Sequence, residues 1–181
     1  MTRRIMGGLA SPQAATGVTM PKKIDIDSLP AIVGTLYPSP FDSPCRARER
    51  RKLGDAAGLT QFGVNLLTLP PGAWSSQRHW HTESDEFVYI VEGEVTLVTD
   101  DGREVLAAGD AAGFRAGDAN GHCLQNHTQA PTLVLEIGSR VVSDGAHYSD
   151  IDLMAPPDGK PALYTRRDGT PYTDIKRRGP E

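Results

Sequence analysis

Between Thr60 and Gly138 the chain consists of short apolar runs separated by Gly, Asp and Pro, at intervals typical of β-strands and turns. The Asp101-Gly102 pair lies between two such runs and predicts a tight hairpin. The Asp168-Gly169 pair predicts a second hairpin near the end of the chain. The pattern therefore indicates an all-β domain. Its predicted strands cover residues 62–69, 77–81, 86–92, 94–99, 103–107, 122–126 and 132–138.

The segments outside this region have weaker patterns. Residues 1–20 are mostly small or polar, which predicts a flexible extension, and translation starts at either Met1 or Met20. Residues 21–60 combine isolated aliphatic residues with several prolines, as expected of an arm that lies over a larger body. We expect one domain over residues 21–181, with a core at about 61–140, the arm at 21–60 and a C-terminal extension at 141–181.

The predicted strand 86–92 is apolar on both of its faces. Phe87, Tyr89 and Val91 alternate with Glu86, Val88 and Ile90, so one face can fill the barrel while the other needs a cover. A second sheet, the N-terminal arm or a second copy of the chain could provide it. We expect a symmetric homodimer.

Composition narrows the function classes. A chain of 181 residues, 38% of them hydrophobic, can bury one core and is too short for two ordinary domains. The formal net charge of -4 argues against a nucleic-acid partner. Cys45 and Cys123 are too far apart for a CxxC motif, so neither a disulfide scaffold nor a thiolate zinc site is indicated. No apolar stretch suits a signal peptide or membrane span, so we expect a cytoplasmic protein without a membrane partner.

Four side chains have a spacing that points to a metal site. His79 and His81 are two apart in a predicted strand, so both imidazoles project from the same side. Glu86 begins the next strand and His122 begins a later one. Three imidazoles and a carboxylate suit divalent Fe, Mn, Ni, Cu or Zn, with open positions for water or substrate. Asp85 is an alternative carboxylate, and the histidines could instead form a hydrogen-bonded core without a metal.

The same residues carry a family resemblance. The run from Gly72 through His79, His81 and Glu86 to Gly93 resembles the first cupin motif, Gly-x5-HxH-x3,4-Glu-x6-Gly, with one extra residue after Gly72. The resemblance extends over about residues 62–138. It implies a double-stranded β-helix, that is, a jelly-roll barrel with an N-terminal arm and a C-terminal extension. It also implies a metal ion inside one mouth of the barrel, and often a dimer.

The second cupin motif, Gly-x5-Pro-x-Gly-x2-His-x3-Asn, is present in a modified form. Gly109, Gly117, His122 and Asn126 match it, but Arg115 stands at the usual proline and two extra residues precede His122. The resemblance thus implies that His122 is the fourth metal ligand. The wider sequence, including residues 109–114 and 148–153, is similar to small bacterial cupins, some of them labelled sugar-phosphate isomerase-like.

Further residues are candidates for contacts with a substrate. Arg115 is the arginine most expected to face the metal mouth, and Asn126 either supports an imidazole or ends a strand. A basic segment in the arm could grip a phosphate or carboxylate, although a solvated face is the default interpretation. This segment contains Arg46, Arg48, Arg50 and Arg51.

Three functions fit these patterns. The first is an enzyme that uses a divalent metal (Fe, Mn, Ni or Zn) as a Lewis acid to isomerise or cleave a small sugar-like or carboxylate substrate. The second is an Fe(II)-dependent dioxygenase. The third is a barrel that binds a small ligand without catalysis. No residue in the sequence identifies the general base that an isomerase requires.

Overall fold

The computed structural model describes residues 23–180, so the predicted flexible extension at 1–20 lies outside the described residues. None of the helices formed by residues 23–180 is long and apolar enough to span a membrane. The one α-helix among these residues is α1 (Leu53–Ala56), and two 3-10 turns lie at Ser43–Cys45 and Pro157–Gly159. The strands are β1 (Ile32–Val33), β2 (Glu49–Lys52), β3 (Phe62–Leu69), β4 (His79–His81), β5 (Glu86–Glu92), β6 (Glu94–Thr99), β7 (Gly102–Ala107), β8 (Ala111–Phe114), β9 (Cys123–Gln125), β10 (Thr132–Ser139), β11 (Ala146–Tyr148) and β12 (Met154–Ala155).

The strands form two layers. One layer is a six-stranded sheet with the order β1-β2-β3-β10-β5-β8. The other consists of two three-stranded sheets, β12-β11-β4 and β7-β6-β9, which meet where the backbones of His79 and His122 exchange hydrogen bonds of 3.1 and 2.8 Å. The predicted all-β class and the jelly-roll form of the double-stranded β-helix are confirmed.

All seven predicted strands are present, with ends shifted by up to two residues. Five further strands were not predicted. Three of them, β1, β11 and β12, have only two or three residues, too few to show an alternation. Strand β2 has the sequence Glu-Arg-Arg-Lys and β8 has Ala-Ala-Gly-Phe, so neither shows the apolar alternation of a half-buried strand. The segment expected to be an arm thus supplies two strands of the main sheet, β1 and β2.

The main hydrophobic core fills the space between the two layers. The six-stranded sheet contributes inward-facing aliphatic residues from three strands, and the β7-β6-β9 sheet contributes residues from all of its strands. The layers are held together by their mutual burial, at roughly 25 cal/mol per Å² of apolar surface removed from water. The buried members are Leu67, Leu69, Ala73, Val88, Ile90, Val95, Leu97, Leu106, Leu124 and Val134.

A second cluster joins the arm to the C-terminal extension. Tyr37 of the arm packs against Tyr148 of β11, with ring centroids 5.5 Å apart and planes at 90°. Tyr148 in turn stacks on His79 with a centroid distance of 5.6 Å. The arm and the extension therefore support one wall of the region that contains the histidines.

Gly93 shows why the first motif ends in glycine. It joins β5 to β6 with a φ of 82°, a conformation that side chains with a Cβ rarely adopt. A Cβ atom at this position would lie only 2.9 Å from Thr132 Oγ1, whose hydroxyl donates to the carbonyl of Glu94. Glycine thus allows β6 to begin directly after β5.

The outer face of β5 is apolar and accessible. Phe87 is 42% exposed, Tyr89 40% and Val91 44%, while the inward-facing Ile90 is fully buried. The alternation predicted for this strand is therefore correct. The homodimer that we inferred from it stays a prediction.

Candidate metal centre

His79, His81 and Glu86 are brought together at one end of the barrel. One nitrogen of each histidine and one oxygen of Glu86 all lie within 4.8 Å of one another. Strand β4 presents the two imidazoles on one face, because alternate strand residues share a side, and β5 begins with Glu86 opposite them. Glu86 Oε2 is 3.7 Å from His79 Nε2 and 3.6 Å from His81 Nε2.

His122 completes the group from the position just before β9. Its Nε2 is 2.9 Å from Glu86 Oε2, which is hydrogen-bonding distance. The imidazole lies parallel to the Phe114 ring with centroids 3.5 Å apart, and its centroid is 5.0 Å from that of His79. All four residues expected to be ligands therefore converge, with His122 as the direct hydrogen-bond partner of Glu86.

Hydrogen bonds orient two of the three imidazoles. His79 Nδ1 lies 3.0 Å from the carbonyl oxygen of Gln77, and His81 Nδ1 lies 2.5 Å from Asp144 Oδ2. Because both partners are acceptors, each Nδ1 donates the hydrogen bond and each Nε2 is the nitrogen on the side of Glu86. His122 Nδ1 is buried and has no hydrogen-bond partner among the described residues.

The electrostatics favour a neutral His79 beside an ionised Glu86. Burial lowers the pKa of His79 to about 4. Burial alone would raise the pKa of Glu86, but the hydrogen bond from His122 and the neighbouring imidazoles outweigh it and lower the pKa to about 2. At neutral pH these groups are thus in the protonation states that metal ligation requires.

The donor set fits a divalent transition metal. Two oriented imidazole lone pairs and one carboxylate oxygen converge without any thiolate, a combination that suits Fe, Mn, Ni or Zn. Asp85 is not part of this set, because its Oδ1 accepts a hydrogen bond of 2.8 Å from the amide of Ala116. Of the two candidate carboxylates, Glu86 is the one that lies with the imidazoles.

A cavity of about 410 Å³ opens beside the group. His79, Glu86 and His122 line one side of it, together with Phe114. Gly138 of β10 lies directly opposite Glu86 in the sheet, so no side chain fills the space next to the carboxylate. The volume is that of a small-molecule site.

The two residues predicted to bind substrate have different environments. Arg115 lines a smaller cavity of about 160 Å³ together with His81, Glu86 and His122, and its role in binding stays a prediction. Asn126 is fully buried, and its amide donates to the carbonyl oxygens of Leu69 and Ala130 at 2.7 and 2.8 Å. Its Oδ1 accepts from Thr128, so Asn126 holds the loop after β9 and has no free group for a substrate.

Two residues near the centre were not predicted, and two others were expected on a solvated face. Asp144, which orients His81, follows it by more than sixty positions, and no spacing in the sequence links the two. Glu136 lines the cavity from β10, where the pattern indicated only a core strand. Arg48 and Arg50 also line the cavity, so the solvated face expected for the basic segment is wrong for these two residues. Their alternation with Glu49 and Arg51 was the available signal.

Comparisons with known proteins agree with this architecture. The model of the cupin domain family matches residues 65–138. A crystal structure from Silicibacter pomeroyi, described as a sugar phosphate isomerase from a cupin superfamily, is 46% identical with a TM-score of 0.79, and the match covers 84% of this chain and 97% of that one. A candidate sugar phosphate isomerase from Acidithiobacillus ferrooxidans is 26% identical with a TM-score of 0.63, covering 71% and 81% of the two chains.

A more distant structure shares the fold alone. The polyketide cyclase RemF from Streptomyces resistomycificus is 20% identical with a TM-score of 0.53, and the match covers 66% of this chain and 80% of that one. No curated protein sequence matches the chain.

Proposed function

Since the chain belongs to the cupin superfamily, we propose that it is an enzyme that isomerises a small oxygenated substrate, sugar-like or carboxylate-bearing, at a bound divalent transition metal. The observation that carries the proposal is the combination of an ionised carboxylate and oriented imidazole lone pairs at one end of a cavity. The proposed ligands are His79, His81, Glu86 and His122.

The names of the Silicibacter pomeroyi and Acidithiobacillus ferrooxidans structures support isomerisation over oxidation. A metal held by these ligands would polarise a carbonyl or hydroxyl oxygen of the substrate. The chain's own residues have to bind the rest of the molecule and move a proton between neighbouring carbon atoms.

We assign the proton transfer to Glu136. Among the described residues that line the cavity, Glu136 and Glu86 are the carboxylates, and Glu86 belongs to the ligand set. Glu136 faces inward two residues before Gly138, and its partner on β5 is Val88, two residues after Glu86. It is thus close to the ligands along the sheet without being one of them. A carboxylate in this position can take a proton from one carbon and return it to the next.

The proposal is tested by exchange of substrate protons in deuterated water. Metal-loaded protein is incubated with short-chain aldoses, ketoses and their acids and phosphates, and NMR follows deuterium at the carbon beside the carbonyl. We expect deuterium uptake together with formation of the isomer, and loss of both in Glu136→Gln with the metal retained.

Two results would contradict the proposal. Consumption of dioxygen by the Fe(II) form without isomer formation would identify a dioxygenase. Tight binding of a small molecule without turnover under Fe, Mn, Ni or Zn would identify a binding barrel.

A further inference from the structure

Strand β2 presents cations to the interior of the barrel. Arg48, just before the strand, and Arg50 and Lys52 within it are two residues apart and share one face. All three line the same cavity as His79 and Glu86. The inward face of a sheet strand normally carries apolar side chains, as Leu67 does opposite Arg50 on β3. We call Arg48, Arg50 and Lys52 the basic row.

Arg48 is a buried charge without an opposite charge. The residue is only 9% exposed. Its guanidinium donates to the carbonyl oxygens of Gly34 and Ser75 and to Thr35 Oγ1, all of which are neutral. No carboxylate lies within ion-pair distance of Arg48 in residues 23–180. Burying a charge costs free energy that neutral acceptors only partly offset, so the site favours an anion.

The positive charges of Arg50 and Lys52 are only partly balanced by carboxylates. Arg50 forms a bidentate ion pair with Glu136, at 2.6 and 2.8 Å, and its Nη1 makes no hydrogen bond with the described residues. Lys52 shares a single carboxylate, that of Asp55, with Arg140. The cavity lining therefore contains more cations than carboxylates. Its cations are Arg48, Arg50, Lys52 and Arg140, and its carboxylates are Glu86 and Glu136.

The two charged ends of the cavity lie on strands of the same sheet that are three strand spacings apart. From Glu86 on β5 the sheet continues through β10 and β3 to β2, which is three strand spacings of about 4.8 Å each. Gly138 and Gly63 are partners on the two intervening strands, and both line the cavity. The guanidinium of Arg140 lies within 3.8 Å of where a Cβ atom on Gly63 would be, so Gly138 is the open position beside Glu86. A short extended molecule can lie over Gly138 with one end at each charged group.

We propose that the basic row binds a terminal oxyanion of the substrate, a phosphate or a carboxylate, while the opposite oxygenated end lies at the metal centre. This inference rests on the proposed function for the identity of that opposite end. Arg50 and Lys52 contact the anion. The buried charge of Arg48 attracts the anion without contacting it. The substrate is then a short-chain sugar acid or sugar phosphate that carries its anion at the far end.

The test uses three acids that share one carbon skeleton and differ only in the distal group. These are erythronate, with a hydroxyl, meso-tartrate, with a carboxylate, and 4-phosphoerythronate, with a phosphate. Calorimetric titration of metal-loaded protein measures each affinity. We expect one or both of the distal anions to bind at least about tenfold more tightly than erythronate, and the tighter of them identifies the natural group. Equal affinity for all three acids would overturn the proposal.

The matched variants are Lys52→Gln and Arg51→Gln. They remove the same charge from neighbouring positions of β2, but Lys52 lines the cavity and Arg51 lies on the opposite face, paired with Glu49. We expect Lys52→Gln to lose most of the preference for a distal anion and Arg51→Gln to keep it. An equal loss in both variants would show a general charge effect and contradict the proposal.

A titration without metal separates this inference from the proposed function. Inorganic phosphate is titrated into chelator-treated wild type and Lys52→Gln, with metal content measured in parallel. Phosphate binding that weakens in Lys52→Gln supports the basic row even if the purified protein contains no metal and the isomerase proposal fails. Indistinguishable phosphate binding by the two proteins would overturn the basic row whatever the metal content.

Discussion

The two ends of the barrel cavity differ in the sign of the charge that they leave uncompensated. At the histidine end, Glu86 is ionised and is surrounded by imidazoles, one of which, His79, is held neutral by burial. At the β2 end, Arg48 is charged and hydrogen-bonded only to neutral groups. The first end is suited to a cation and the second to an anion. One polar cavity can thus bind the two ends of a substrate by opposite electrostatics.

The largest expected effect comes from removing the histidine end. His79→Ala and His81→Ala each delete a proposed ligand, so metal content should fall by at least about tenfold and isomerisation should fall to background. Elemental analysis and the deuterium assay measure these two quantities. His127→Ala is the matched control, because His127 pairs with Gln125 outside the group.

The histidine variants should leave the basic end intact. Phosphate binding by the basic row should be unchanged in His79→Ala, since no residue of the row contacts the imidazole. Retention of stoichiometric metal in His79→Ala would contradict the assigned ligand set.

Glu136 lies between the two ends, and Glu136→Gln should separate chemistry from metal binding. The amide keeps the size of the side chain and can still accept a hydrogen bond from Arg50, but it cannot take a proton. The rate of isomerisation should fall by about 10²- to 10⁴-fold while metal content stays at the wild-type value. Steady-state kinetics and elemental analysis check this. A variant with unimpaired turnover would remove Glu136 from the mechanism.

The variant Asp144→Asn tests whether Asp144 orients the imidazole of His81. Its Oδ1 accepts from the backbone amides of Glu83 and Ser84, and its Oδ2 faces His81 Nδ1. In Asp144→Asn the oxygen is expected to stay with the amides, so the new NH₂ faces His81 and moves the imidazole proton to Nε2. Metal affinity should then fall by about 10- to 100-fold.

This effect can be told apart from a general loss of stability. Thermal unfolding of the metal-free proteins measures the structural contribution of Asp144, and competition with a chelator measures metal affinity. If the two proteins bind metal equally well, the orienting role of Asp144 is wrong.

Gly138→Ala is expected to have the smallest effect. A Cβ atom there would lie 3.6 Å from the carbonyl oxygen of Asp85 and 3.7 Å from Glu86 Cγ, which are ordinary contacts. The free energy of unfolding should therefore change by less than about 1 kcal/mol. Because the methyl group narrows the path between the two ends, 4-phosphoerythronate should bind a few-fold more weakly. Unchanged affinity would show that the ligand does not cross this position.

The sequence predicted the histidine end better than the basic end, and the reason is physical. His79, His81 and Glu86 lie on two consecutive strands, so their spacing along the chain reflects their spacing in the fold. His122 was identified through the resemblance to the second cupin motif. Its contact with Glu86 depends on the pairing of β4 with the start of β9, which no local pattern encodes.

The sequence offered Arg48 and Arg50 as possible anion ligands but not their place inside the barrel, because β2 contradicts the usual composition of an inward-facing strand. Its inner face is charged, so the segment gave the pattern of an exposed arm. Asp144 likewise reaches His81 from a loop beyond β10, a contact set by the fold of the extension onto the barrel. Residues that support a site from distant segments leave no periodic signal in a single sequence.

The most direct test is a crystal structure of the protein grown with Mn(II) and 4-phosphoerythronate, with anomalous diffraction used to locate the manganese. The account predicts a manganese peak at coordinating distance from His79 Nε2, His81 Nε2 and Glu86, with the phosphate at Arg50 and Lys52. A manganese ion bound elsewhere, or a phosphate in contact with the metal and a basic row left without an anion, would contradict it.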